Sequence, residues 1–286
     1  MASVSFEYFP PRNEESRNKL EQAVNVLSAF QPEFQSVTYG AGGSSREGTL
    51  DTARLVSHLS EAPAASHLTY TGSNASEIAK FANRLWDQGT RRIVALRGDS
   101  RESAGAEVFS STAQFISTLK RHHPFEIAVS CYPEVHPLAN SRESDIAVLK
   151  EKQEAGASLA ISQFFFDNSV FYEFVQEARA AGITIPIVPG ILPIYSYEKT
   201  QKMAQQCGAT IPDHFHRAFE DGRTAGSSEI EIAAELLKAQ VHDLAVAGYE
   251  SIHIYTLNRL PLAETAARSF LNAHGSRSDE PEKQVA

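Results

Sequence analysis

Glu7 sits where an acid could do useful work. It falls within Ser5–Arg12 (SFEYFPPR), an apolar run closed by Pro10 and Pro11. Val4, Phe6 and the Tyr8–Phe9 pair read as a strand, and two prolines cannot continue a sheet ladder. The carboxyl is therefore expected where strand gives way to loop, between aromatic residues. Burial there would raise its pKa and make it a proton donor near neutral pH. A glutamate on the wet face of a first strand fits the same spacing. Two further polar residues stand at the ends of apolar runs. Asp99 follows Arg97-Gly98, where the glycine permits close approach of a flat ligand or an unusual turn, and the aspartate could equally cap a loop. Gln163 precedes Phe164, Phe165 and Phe166; its amide could donate and accept at a heterocycle edge, or bond backbone in the core.

The elements that must position these groups alternate along the chain. Strands are expected at Val4–Phe9, Phe34–Tyr39, Ala64–Tyr70, Arg92–Leu96, Glu126–Tyr132, Leu159–Phe164, Ile185–Val188 and Ser251–Tyr255. Helical spacing of apolar residues marks Asn13–Phe30, Ser76–Asp87, Glu143–Ala155, Val170–Ala181 and Ser228–Ala247. An inserted helix is expected near Pro212–Phe219. Polar residues at strand ends (Glu7, Thr38, His67, Arg97, Tyr132, Gln163) recur about every 30 residues, one βα unit. Eight such units predict an α/β fold, a (β/α)8 barrel over residues 1–273 with extra helices before the last strand. A polar tail is expected over 274–286. A doubly wound sheet is the alternative, but the chain has no glycine-rich dinucleotide fingerprint. In such a barrel the strand ends converge on one face, where active sites form.

Composition narrows the partners. With 42% hydrophobic and 21% charged residues among 286, the chain has the make-up of a globular protein. A net charge of −9 argues against general binding to nucleic acid or anionic membranes. No apolar stretch approaches the ~20 residues that cross a bilayer, and no signal peptide is evident, so a cytoplasmic location is expected. Cys131 and Cys207 lie far apart, and His67 and His136 are isolated; no metal site is predicted.

Eight strings in order resemble the bacterial methylenetetrahydrofolate reductases. They are Ser5–Arg12, Ser36–Gly43 (SVTYGAGG), His67–Thr69 (HLT), Ile93–Asp99 (IVALRGD), Tyr132–Pro137 (YPEVHP), Ser162–Asp167 (SQFFFD), Pro189–Pro193 (PGILP) and Tyr255–Arg259 (YTLNR). The resemblance implies a barrel holding FAD, and reduction of 5,10-methylenetetrahydrofolate to 5-methyltetrahydrofolate by NADH or NADPH. It implies Glu7 as general acid and Asp99 near the flavin's pyrimidine edge, tuning hydride donation. Gln163, Tyr255, Arg259 and Met203 become folate contacts. Thr38, His67, Leu96, Arg97, Gly98, Asp99, Tyr132, His136, Asp145 and Lys152 become flavin contacts, with Asp145 on a ribose and Lys152 offsetting pyrophosphate. A homo-oligomer is a further implication.

The sequence departs from that pattern at Val148 and Glu151, where Asn and Arg often serve the cofactor, and at Met203, where an aromatic residue often stacks. A valine gives phosphate no donor, and a glutamate repels it. Arg142 or Lys150 could compensate. A flavin-independent reductase on the same barrel and a redox-inactive folate-binding subunit are the alternative readings.

Overall fold

The computed structural model describes residues 2–39, 45–98 and 109–278. Its strands are β1 (Ser3–Tyr8), β2 (Gln35–Val37), β3 (Ala64–Thr69), β4 (Arg92–Leu96), β5 (Glu126–Cys131), β6 (Leu159–Ser162), β7 (Ile187–Val188), β8 (Gly190–Ile191) and β9 (Ser251–Tyr255). All pair in parallel, in the order β7-β6-β5-β4-β3-β2-β1-β9-β8. Only Pro189 separates β7 from β8. Val188 pairs with Ile161 of β6, whereas Gly190 pairs with His253 of β9. One strand position thus serves both ends of the sheet, and the sheet closes into a (β/α)8 barrel. The break falls at a residue with no N–H to give a ladder.

The helices are α1 (Glu14–Leu27), α2 (Arg46–Leu59), α3 (Ala75–Asp87), α4 (Thr112–His122), α5 (Arg142–Glu154), α6 (Asn168–Ala180), α7 (Tyr197–Cys207), α8 (Asp213–Thr224), α9 (Glu229–Val246) and α10 (Leu260–Ser278). Side-chain caps set several starts: Asn13, Asn74, Ser141 and Ser228 each accept the N3 amide in a capping box. Three helices, α7, α8 and α9, stand before the last strand where the barrel repeat needs one, so two are extra.

Strand alternation divides the barrel into two layers. Val4, Phe6 and Tyr8 of β1 face outward onto helices, packing in one cluster with Leu20, Val24 and Leu27 of α1. Full burial of such side chains is worth roughly 1.5–3 kcal/mol each. Inside, Phe34, Ala65, Val94, Ala128 and Ile161 fill the lower barrel. Polar residues occupy inward positions above and beside them, including Ser5, Glu7, Ser36, His67 and His253.

The last helix overruns the expected barrel end at residue 273. Leu262, Ala263, Ala266, Ala267, Phe270 and Ala273 are buried at helical spacing. His274 then packs its ring 4.9 Å from Phe270, with Nε2 2.9 Å from the Tyr249 carbonyl. Packing carries the helix through the polar His274-Gly275 step to Ser278. Residues 279–286 lie outside the described ones.

Candidate active site

Glu7 occupies the inward face of β1, in register with Ser36 on one side and Tyr255 on the other. Its residue exposure is 8%, which settles the strand-face question in favour of the interior. Oε2 lies 3.2 Å from His67 Nε2 and 3.8 Å from His253 Nε2. His253 is held from behind: its Nδ1 is 2.8 Å from Ser5 Oγ, and Phe34 stacks on its ring at 5.6 Å. Neither imidazole Nε2 completes an aligned hydrogen bond among the described residues. Both contacts to Glu7 are therefore close N···O approaches without hydrogen-bond alignment.

This arrangement reverses the expected electrostatics. Burial alone raises the carboxyl's pKa, as the sequence suggested, but His67's charge, with contacts from His253, more than offsets it. The carboxyl is held at about 2, below its ordinary 4.5. Glu7 is thus an ionised carboxylate at neutral pH in this arrangement. Aromatic neighbours were legible in the sequence; two histidines arriving from β3 and β9 were not.

Around this acid, polar atoms at the strand ends find no partner among the described residues. Thr38 donates its N–H to Tyr8 O (2.9 Å), and its carbonyl accepts from Thr49 Oγ1 (3.0 Å). Among the described residues, its own Oγ1 and Ser36 Oγ are buried and find no hydrogen-bond partner. Such orphans are costly unless a ligand or water satisfies them. At the end of β4, Leu96 is half-buried and Arg97 exposed, its carbonyl accepting from Thr71 N at 3.0 Å. Gly98 has φ +89°, and a Cβ there would stand 2.8 Å from Thr69 Cβ, so only glycine fits the turn. Asp99, next in the chain, lies outside the described residues.

After β5, Tyr132 and His136 meet edge to face at 4.4 Å. Asp145 Oδ2 accepts the His136 N–H (2.9 Å), and His136 Nδ1 accepts from Leu138 N (3.0 Å). Burial lowers the His136 pKa, with Asp145 opposing. Lys152 reaches back into the barrel wall and donates to Ser130 O at 2.9 Å. Burial lowers its pKa and pushes the neighbouring Cys131 thiol up to about 12. Asp145 and Lys152 are therefore both engaged with this strand and its loop. Val148 and Glu151 are exposed on α5. Of the two compensating cations, Arg142 is tied to Glu177 (2.5 Å) and to the Pro133 carbonyl, while Lys150 Nζ extends towards Gly182.

Gln163 is half-buried at the end of β6, its N–H donating to Cys131 O (2.7 Å) and its Oε1 accepting from Phe164 N (3.0 Å). The side-chain carbonyl is committed to its own backbone, leaving the NH2 as its outward group. Tyr255 donates its hydroxyl to Ser162 O at 2.7 Å, and burial, reinforced by the Glu7 charge, raises its pKa well above 10.0. Arg259 is exposed and lies over the Tyr195 ring at 5.1 Å. Met203 is half-buried on α7, against the main core.

The sequence matches the family description "Methylenetetrahydrofolate reductase" over residues 1–270. It is 36% identical over 261 residues to the 5,10-methylenetetrahydrofolate reductase of Pectobacterium carotovorum subsp. carotovorum, covering 91% of this chain and 87% of that one. The chain belongs to the methylenetetrahydrofolate reductase family. It is an enzyme, a reductase of that family. The Escherichia coli (strain K12) member is also 36% identical, with 91% and 88% covered. A rice (Oryza sativa subsp. japonica) protein named "Probable methylenetetrahydrofolate reductase (NADH)" is 33% identical over 89% of this chain and 46% of its own length. Among solved structures, a Clostridium thermocellum protein described as binding two copies of 5-methyl-5,6,7,8-tetrahydrofolic acid superposes with TM-score 0.65 at 14% identity, covering 97% and 95%. At that identity it shows the fold.

In this methylenetetrahydrofolate reductase the Ser5–His253 pair, which backs Glu7, was not singled out from the sequence. Both were detectable by strand alternation, since His253 stands two residues before Tyr255 and Ser5 two before Glu7. Two clefts lie away from the strand ends. One of about 490 Å³ is lined by Tyr197, His216 and Arg223 with three glutamates; the other, about 410 Å³, lies between α6, α8 and α9. Among the described residues no three His, Cys, Asp or Glu side chains converge on a metal site, and no helix is long and apolar enough to cross a membrane.

Proposed function

We propose that this reductase converts 5,10-methylenetetrahydrofolate to 5-methyltetrahydrofolate with NADH or NADPH through bound FAD. The observation that carries this reading is the buried Glu7 carboxylate beside His67, at the rim of a barrel belonging to this family. Orphaned Thr38 Oγ1 and Ser36 Oγ, and the side-chain-free turn at Gly98, suit a polar planar cofactor across the strand ends. FAD, when bound, would take hydride from the nicotinamide and give it to the folate.

The chain's own work is proton delivery and orientation. Opening the five-membered ring of the substrate requires a proton near its bridging nitrogen, which yields an iminium ready for hydride. Glu7 is ionised in this arrangement, so its proton has to arrive first. His67 Nε2, 3.2 Å from the carboxylate, is the adjacent group through which that proton would pass before Glu7 delivers it to the nitrogen. Folate covering the site would exclude water and make the protonated carboxyl easier to reach. Gln163 offers its NH2 to an acceptor on the pterin, and Arg259 offers a fork to a carboxylate. The test is Glu7→Gln, which should bind folate and still accept reducing equivalents from the nicotinamide while failing to reduce the folate. Near-normal folate turnover would remove Glu7 from the chemistry.

A flavin-independent reductase is favoured by one feature, the Val148 and Glu151 surface of α5 with Arg142 engaged elsewhere. Colourless protein that resists reconstitution with FAD, yet reduces the folate, would select it.

A further inference from the structure

We infer that Tyr255 acts in this enzyme as a positioning residue, its phenol stitching the barrel seam so that Gln163 and Glu7 face one another at a fixed separation. The inference rests on the function proposed above, in which both residues serve one folate. At the seam, the strand position formed by β7 and β8 changes partners from β6 to β9 at Pro189. Ladder bonding to β6 ends there, and two side chains take over. Gly190 donates its N–H to Ser162 Oγ at 2.9 Å, and Tyr255 donates its hydroxyl to Ser162 O at 2.7 Å. Tyr255 belongs to β9, so its side chain must cross β8 to reach β6. It crosses at Gly190. A Cβ on that residue would stand 2.1 Å from Ser162 O and 2.7 and 2.8 Å from Tyr255 Cε2 and Oη. The glycine is thus the gap through which the stitch passes.

The two ends of the stitch carry the proposed chemistry. Tyr255 is the register partner of Glu7 across β1 and β9, and Ser162 is joined by its peptide bond to Gln163. A hydroxyl committed to Ser162 O is not the hydroxyl of a ligand contact; it transmits the position of β9 to the residue before Gln163. Loss of this bond leaves both strands folded but frees the separation between proton donor and amide, and displacements of about 1 Å can cost up to a hundredfold in rate.

The experiment compares Tyr255→Phe, Ser162→Ala and the double variant as FAD-loaded enzymes, with Ser162→Thr as the control that keeps a hydroxyl. Flavin absorbance, flavin reduction by NADH, and steady-state kcat and KM for methylenetetrahydrofolate are measured. The expected result is a roughly tenfold lower kcat in each single variant, KM within about twofold, and a double variant no worse than the poorer single one, as for groups acting as one unit. Ser162→Thr should restore most of the rate. Raised KM with unchanged kcat in Tyr255→Phe would overturn the inference, because the phenol would then be a direct substrate contact. Wild-type kinetics in Tyr255→Phe would overturn it too. Should Ser162→Ala fail to fold, the kcat-against-KM split in Tyr255→Phe decides alone. Wild-type enzyme without folate turnover would instead refute the proposed function, separating the two failures.

Discussion

Glu7 Oε2 and His67 Nε2 stand 3.2 Å apart on neighbouring sides of the barrel mouth, one from β1 and one from β3. Their proximity holds the acid's pKa down to about 2 and favours its anion. Everything chemical in the proposed function passes through this pair, and several consequences can be measured.

The first concerns the acid itself. Replacing Glu7 by Gln preserves size and hydrogen bonding but removes the transferable proton. Folate reduction should fall by at least about 100-fold, in line with the contribution of a positioned acid. Flavin reduction by NADH should stay within a few-fold. Stopped-flow measurement of the two half-reactions separates the effects.

The second concerns pH. The Glu7 carboxyl titrates near 2 in the fold and ordinarily near 4.5, so the folded state favours its ionised form. That stabilisation is complete above about pH 4.5 and is lost as pH falls towards 2. Replacing His67 by Gln removes the largest opposing charge and lets burial dominate. The loss of stability between about pH 4.5 and 2, read from the urea midpoint against pH, should then shrink or vanish, because a carboxyl raised by burial gains stability as pH falls through its pKa. An unchanged loss would mean that His67 does not set the Glu7 charge.

The third concerns the seam. Gly190→Ala introduces a Cβ 2.1 Å from Ser162 O, a backbone atom that cannot turn aside. Destabilisation of about 3 kcal/mol or more is expected from such overpacking, read as a lower urea midpoint. A change below about 1 kcal/mol would show that the seam relaxes freely.

Much of this architecture was legible because strand alternation and helix caps are local signals. Ser5, Glu7, His253 and Tyr255 all lie on the inward parity of their strands, and the βα spacing forecast the closed barrel. What local signals could not give was company across the barrel. Glu7's aromatic neighbours in sequence suggested a raised pKa, yet Phe6 and Tyr8 point away from it into the helix layer, and the residues that reach it are His67 and His253. Lys152, which the resemblance offered to pyrophosphate, donates to Ser130 O in the barrel wall, a partner that no local signal announces. The break at Pro189 was visible as a residue; that it marks the change of sheet partners depends on closure, which no single segment encodes.

A fourth prediction follows from α5. Val148 and Glu151 are exposed, so substitution there should not disturb the core. Val148→Asn with Glu151→Arg should tighten FAD binding by about fivefold, the scale of one or two exposed polar contacts. Titration of apoprotein by flavin fluorescence checks this, and unchanged affinity would place the cofactor's diphosphate elsewhere.

The most direct test is anaerobic absorption spectroscopy of the purified protein through one catalytic cycle. Flavin bands should bleach on addition of NADH or NADPH and return, with 5-methyltetrahydrofolate formed stoichiometrically, when methylenetetrahydrofolate is added. Bleached flavin that the folate fails to reoxidise, in protein that is folded and flavin-loaded, would contradict the proposed reaction.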